Sequence, residues 1–120
     1  MNPPLNIRNL AQWKTACLGI VAICHGILDS NLGIVEGARE LSRLRCEVRS
    51  ENDSDFTNFV VIHSETDHFP IGNIRKKWSH EDLKTSDAEK SKYEAGVKDS
   101  AGSSCRALLK KYDVQADASV

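Results

Sequence analysis

Between Leu10 and Leu28 apolar side chains recur at three- and four-residue steps, through Trp13, Cys17, Ile20, Val21, Cys24 and Ile27, and from Thr15 to Leu28 there is no formal charge. Such steps gather side chains on one face of a helix, so the pattern predicts a helix from Ile7 to about Leu28. A helix without charges has to be covered, by lipid or by protein. The uncharged run is shorter than the ~20 residues that cross a bilayer. Arg8 and Lys14 precede it, but no small-x-small cleavage pattern follows, so neither a signal peptide nor a membrane anchor is expected. The expectation is a deeply buried helix in a soluble domain.

The rest of the chain must supply the cover. Asp29, Ser30, Asn31 and Gly33 carry the turn chemistry that ends a helix. Ile34, Val35, Ala38, Leu41, Leu44 and Val48 then trace a second stripe, with Glu36, Arg39, Glu40, Arg43 and Glu47 opposite, at spacings that allow ion pairs one turn apart. This predicts a two-faced second helix antiparallel to the first. A third stripe runs through Tyr93, Val97, Ala101, Cys105, Leu108 and Tyr112, with Gly96, Gly102 and Ser104 allowing close helix contact. Ser79 with Asp82, and Ser86 with Glu89, have capping-box spacing, predicting a short helix near His80 to Lys84 and a long one from about Asp87.

Between these helices Ser50 to Asp55 reads as an acidic loop. Phe56 to Ile62, aromatic and β-branched, reads as a largely buried strand. His63 to His68 is then a turn and Phe69 to Ile71 a return strand that Pro70 confines to an edge. The expected class is therefore α+β, mainly α: three main helices and one short helix with a small two-stranded β-hairpin packed on them. At 120 residues there is material for one core. We expect a single domain over residues 1–113, with Met1 to Asn6 as an extended lead-in and residues 114–120 as a flexible tail, frayed from Gln115.

Sixteen Lys and Arg against seventeen Asp and Glu leave a net charge of −1, which excludes the strong basic footprint of a generic nucleic-acid binder. Cys17 and Cys24 are two helical turns apart, about 10.5 Å along the axis and beyond the ~7 Å limit for a disulfide. Cys46 and Cys105 lie in or beside apolar stripes, where reduced thiols act as small hydrophobes. A reducing cytoplasm follows as the expected compartment.

Candidate chemistry is sparse. His63, Asp67 and His68, with His80 further on, combine imidazoles and a carboxylate that could serve a metal-assisted hydrolase. Their spacing matches no metal signature, and Ser64, Thr66 and Asp67 are also ordinary turn formers. No Cys-x-x-Cys, His-Glu-x-x-His, glycine-rich phosphate loop or nucleophile elbow is present. No catalytic residue, metal ligand or cofactor is assigned. His25, on the first stripe, is expected as a hydrogen-bonded core histidine. Arg75-Lys76-Lys77-Trp78 offers cations and a stacking ring, but three charges in a chain of net charge −1 favour an apolar anchor at Trp78 beside solvated cations. The clearest asymmetry is acidic. Glu51, Asp53, Asp55, Glu65 and Asp67 lie in a segment, Ser50 to Pro70, without Lys or Arg. One end of the expected hairpin should then carry a negative field that steers a basic partner.

The stretch from Phe59 to Trp78, F-V-V-I-H-S-E-T-D-H-F-P-I-G-N-I-R-K-K-W, resembles the most recognisable part of a small family of bacterial helical proteins. In that family a strand runs into S-E-T-D-H-[LF]-P-[IV]-G, followed by an arginine and a tryptophan. The likeness extends more weakly into G-A-R-E-L-S-R-L-R and S-S-C-R-A-L-L. The resemblance implies an immunity-type protein, of the kind encoded beside polymorphic or contact-dependent toxins, that neutralises a cognate toxin domain such as a nuclease. It assigns no catalytic residue. The leading expectation is accordingly a cytoplasmic inhibitor, monomeric or homodimeric, with Glu51, Asp53, Asp55, Glu65 and Asp67 binding the partner. The alternatives are a metal-assisted hydrolase using His63, Asp67, His68 and His80, and a homo-oligomer subunit paired through apolar residues of the first or last helix.

Overall fold

Asn9 starts the first helix, its side chain accepting a hydrogen bond from the Gln12 N–H at 3.0 Å and satisfying one of the donors a helix N-terminus leaves free. The computed structural model describes residues 9–117; the expected lead-in, Met1 to Asn6, and the last three residues of the expected tail lie outside that range. Four helices follow: α1 (Leu10–Leu28), α2 (Ile34–Glu47), α3 (Ser54–Thr66) and α4 (His80–Asp117), with a short 3-10 helix at Gly72–Lys77.

The expected hairpin is absent, and among the described residues there is no strand. Phe56 to Ile62 belongs to α3, and Phe69 to Ile71 is irregular chain leading into the 3-10 helix. The fold class is therefore helical, not α+β. The reason lies in spacing: Phe56, Phe59, Ile62 and Thr66 are the buried residues of α3, and steps of three, three and four follow a helix rather than the alternation of a strand. Asp53 caps α3 by accepting from the Asp55 N–H at 3.0 Å. Thr66 closes it, its hydroxyl donating to the Ile62 carbonyl at 2.6 Å.

The two helices expected after Ser79 are one. Ser79 accepts from the Asp82 N–H at 3.1 Å, but Ser86 sits within α4 and is buried. The helix continues unbroken through Asp117, past the expected start of the frayed tail.

Side-chain partners define the topology. Gly37 of α2 lies against Ile27 of α1, and Gly19 against Leu44, so α1 and α2 are antiparallel. Cys24 meets Cys105, and Gly102 lies near Leu28, which makes α4 antiparallel to α1. Asn58 donates to Ser104 Oγ at 3.1 Å and Tyr93 to Glu65 at 2.7 Å, so α3 and α4 are antiparallel too. The result is an up-down-up-down four-helix bundle, elongated at 49 × 28 × 25 Å. Trp13, Ile20, Leu41, Phe56, Phe59, Leu108 and Tyr112 fill one continuous core, and Phe56 and Tyr112 pack edge to face at 5.9 Å.

The thiols behave as expected for three of four cysteines. Cys17, Cys24 and Cys105 are buried and reduced, whereas Cys46 is exposed. Burial pushes the Cys17 thiol up to about 11. The bond it shares with Cys105, reinforced by burial, keeps the Cys24 thiol protonated. On α2, Arg43 pairs with Glu40 at 2.9 Å and Glu47 at 3.1 Å, as the spacing predicts. His25 departs from expectation: it is exposed on α1 rather than part of the core.

Candidate partner-binding surface

The five acidic residues singled out by the sequence do not form one patch. α3 separates them, with Glu51, Asp53 and Asp55 at its N-terminal end and Glu65 and Asp67 at its C-terminal end. Thirteen residues of helix hold the groups roughly 20 Å apart. The N-terminal group is also partly offset by one cation. Lys111 of α4 donates to Asp53 at 2.6 Å and to Asp55 at 3.0 Å. Burial works against that ammonium, but the two carboxylate bonds outweigh it and raise its pKa above the usual lysine value. Asp53 is in addition the α3 cap. Only Glu51 of this group stands exposed without a side-chain partner among the described residues.

The C-terminal group has a different setting. The α3 helix ends at Thr66, Asp67 takes the C-cap position, and the chain turns inward so that Phe69 and Pro70 are buried. Gly72 then adopts φ +73°, a left-handed conformation open to glycine at no steric cost. Arg75 pins this turn, donating to the Pro70 carbonyl at 3.2 Å and to both oxygens of Asp87 at 2.8 and 2.7 Å. That bidentate bond holds the Asp87 carboxyl below its usual range. Nearby Lys90 donates to Glu36, and Glu94 accepts from the Val35 N–H at 2.9 Å, supplying the cap that Gly33 cannot. Each of these charges joins the turn or the start of α2 to α4.

Beside the turn, a shallow groove of about 560 Å³ runs between the end of α3 and the middle of α4, with Phe69, Tyr93, Gly96 and Val97 along it and Glu65, His68, Glu89 and Lys92 also lining it. The exposed carboxylate of Glu65 is held in place by the Tyr93 hydroxyl at 2.7 Å. Burial, and then this bond, push the Tyr93 phenol up to about 12. At Gly96 an added Cβ would meet nothing within 4 Å, so the backbone is bare and accessible. Ile74 and Trp78, on and just beyond the 3-10 helix, are exposed at 54% and 38%. Trp78 is thus no buried anchor; it and Ile74 are apolar surface among Arg75, Lys76 and Lys77.

The histidines do not converge. His63 is half-buried within α3, His68 is exposed and lies against Phe69 with centroids 4.2 Å apart and the rings tilted by 42°, and His80 is exposed at the start of α4. No group of three His, Cys, Asp or Glu among the described residues is placed to hold a metal ion. Glu89, Tyr93 and Gly96 went unnoticed as a surface in the sequence. Their spacing of four and three on one long helix was the available signal, but it becomes a groove only when α3 lies alongside. The chain from residue 6 to residue 108 matches the model of a family described as a protein of unknown function, DUF2489. No curated protein and no solved structure matches.

Proposed function

We propose a function from the premise that the chain belongs to the DUF2489 family: it is a non-catalytic, immunity-type protein that binds a cognate toxin domain in the cytoplasm through the groove between α3 and α4. The observation that carries this reading is the fixed, exposed carboxylate of Glu65 at the rim of an open, largely apolar groove. Burial of apolar groups supplies affinity, while placed charges supply orientation and encounter rate. Glu65 and Glu89 outnumber Lys92 on the rim, and the exposed Asp67 lies beside it at the end of α3, so the surface favours a basic partner. Asp53 and Asp55 are occupied by Lys111 and are not assigned to it, so the proposed contact set narrows from the expected five residues to the C-terminal pair with Glu89.

The reading requires that a neighbouring gene encode a toxin domain, and a neighbourhood that encodes none overturns it; where one is encoded, the test is co-production of that domain with this chain. Wild-type chain should restore growth, and a Glu65→Gln, Asp67→Asn, Glu89→Gln triple variant should not. With purified proteins the triple variant should associate about ten- to a hundredfold more slowly, with a flatter dependence on salt. Full protection and unchanged association by a folded triple variant would remove this surface from the function.

A further inference from the structure

Holding an exposed side chain in one geometry costs rotamer freedom, which an opposite charge commonly offsets. Among the described residues, the carboxylates bonded by another side chain follow this pattern with one exception. Arg43 holds Glu40 and Glu47, Lys90 holds Glu36, Arg75 holds Asp87, and Lys111 holds Asp53 and Asp55. Glu65 is instead held by a neutral group, the Tyr93 hydroxyl, which reaches it from the neighbouring helix, and it forms no ion pair among the described residues. The carboxylate is thus fixed in place without being neutralised, and it faces solvent.

What lies next to this carboxylate is apolar. Long helical side chains lean toward the start of their helix, so Tyr93 carries its hydroxyl, and Glu65 with it, toward one end of the groove. Gly96 follows Tyr93 by about 4.5 Å along the axis and leaves the backbone bare, with Phe69 and Val97 also along the groove. The lean sets the fixed charge and the open apolar patch farther apart than that step. In an extended chain, side chains two residues apart share a face about 6.6 Å apart, a spacing that suits the two features. Two carboxylates, Glu65 and Glu89, line the groove against one ammonium, Lys92, which favours a cation over an anion. The volume of about 560 Å³ is that of a seat for a ligand-sized element rather than for a whole protein face.

We propose that the groove recognises an extended segment of a partner protein in which a lysine or arginine stands two residues from a large apolar side chain. The cation pairs with Glu65, completing the ion pair that the fold leaves open, and the apolar side chain covers the bare backbone at Gly96. Tyr93 is a positioning residue: its hydroxyl orders the carboxylate before the partner arrives, so less rotamer freedom is lost on binding. The proposal rests on the groove being the binding face, as in the function proposed above, and specifies what that face reads.

Amide NMR of the isotope-labelled full chain, titrated with the blocked peptide acetyl-Arg-Gly-Leu-amide, tests this without a toxin. Binding of millimolar order should shift the amides of Phe69, Tyr93, Gly96 and Val97. The same peptide with neutral citrulline in place of arginine should bind about three- to fivefold more weakly, as befits one exposed ion pair. Glu65→Gln should bind both peptides alike, Tyr93→Phe should reduce the preference for arginine while leaving citrulline binding unchanged, and Gly96→Leu, which fills the apolar seat, should weaken both. Glu51→Gln, at the far end of α3, should behave as wild type. The proposal is overturned if wild type shows no shifts in the groove, if it binds the two peptides equally, or if the preference for arginine survives Glu65→Gln. A chain that prefers the arginine peptide through Glu65 yet fails to protect against the neighbouring toxin domain overturns the immunity reading alone. One that protects, and loses protection in the triple variant, but does not distinguish the peptides overturns this proposal alone.

Discussion

Tyr93 illustrates how much a single residue's surroundings decide. In the sequence it is one member of a helical stripe; in the fold it is half-buried and donates to Glu65, so its phenol ionises near 12 rather than at the ordinary 10.0. Because the neutral form is the one folding favours, the associated stability is present in full below pH 10 and is lost as pH rises through about 12. In a Tyr112→Phe background, the ultraviolet phenolate signal should show a midpoint near 12 that falls partway toward 10 in Glu65→Gln. An identical midpoint in the two proteins would show that the bond does not form. Ion pairs one turn apart, such as Arg43 with Glu40 and Glu47, were legible because the helix period alone brings them together. The sharing of one cation by Asp53 and Asp55 was not, since Lys111 arrives from 56 to 58 residues away.

At the scale of elements, α1 and α2 were readable in type because long, strongly periodic stripes admit one interpretation; the expected start of α1 at Ile7 lies outside the described residues, and the helix begins at Leu10 after the Asn9 cap. For α3 composition and spacing point different ways: a short run rich in Phe, Val and Ile suits either a strand or a buried helix, and the spacing of Phe56, Phe59 and Ile62 with the Asp53 cap decides for the helix. The helix ends also carry a testable cost. Ser30 and Arg49 stand at φ +61° and +58° after α1 and α2, where the Asn31 N–H reaches the Gly26 carbonyl and the Ser50 N–H the Arg45 carbonyl, both at 2.9 Å. This closure favours glycine at the left-handed position. Arg49→Gly should therefore stabilise the protein by about 1 kcal/mol in urea unfolding. Two interior glycines should respond oppositely to alanine. At Gly37 a Cβ would lie 2.5 Å from Ile27 Cδ1, so Gly37→Ala should destabilise by about 1–3 kcal/mol. At Gly96 nothing obstructs it, and Gly96→Ala should stabilise by up to about 1 kcal/mol while weakening whatever docks in the groove.

Across the whole molecule, α4 connects what the chain order separates. Its first half ties down the Pro70–Arg75 turn and the start of α2 through Asp87, Lys90 and Glu94, and its second half completes the core and reaches the start of α3 through Lys111. Lys111→Met should cost about 1 kcal/mol or less, since the ammonium is 39% exposed and solvent screens the pair. Added salt should narrow the difference between the two proteins in parallel urea titrations. It should also leave Asp53 and Asp55 without their cation, creating at the far end of α3 the strongly acidic patch that the linear sequence suggests. The chain's own pattern was enough to determine that α1 and α2 are helices with one face in the core and that a third apolar stripe ends the domain, because each rests on neighbours within one or two turns; the deep burial expected of α1 is not found, since only one of its faces is covered. Which carboxylates gained a cation and where a groove opened depended on elements distant in the chain. Close packing and pairing at a few ångströms are set by which helices lie side by side, and that placement exists only once the bundle has assembled.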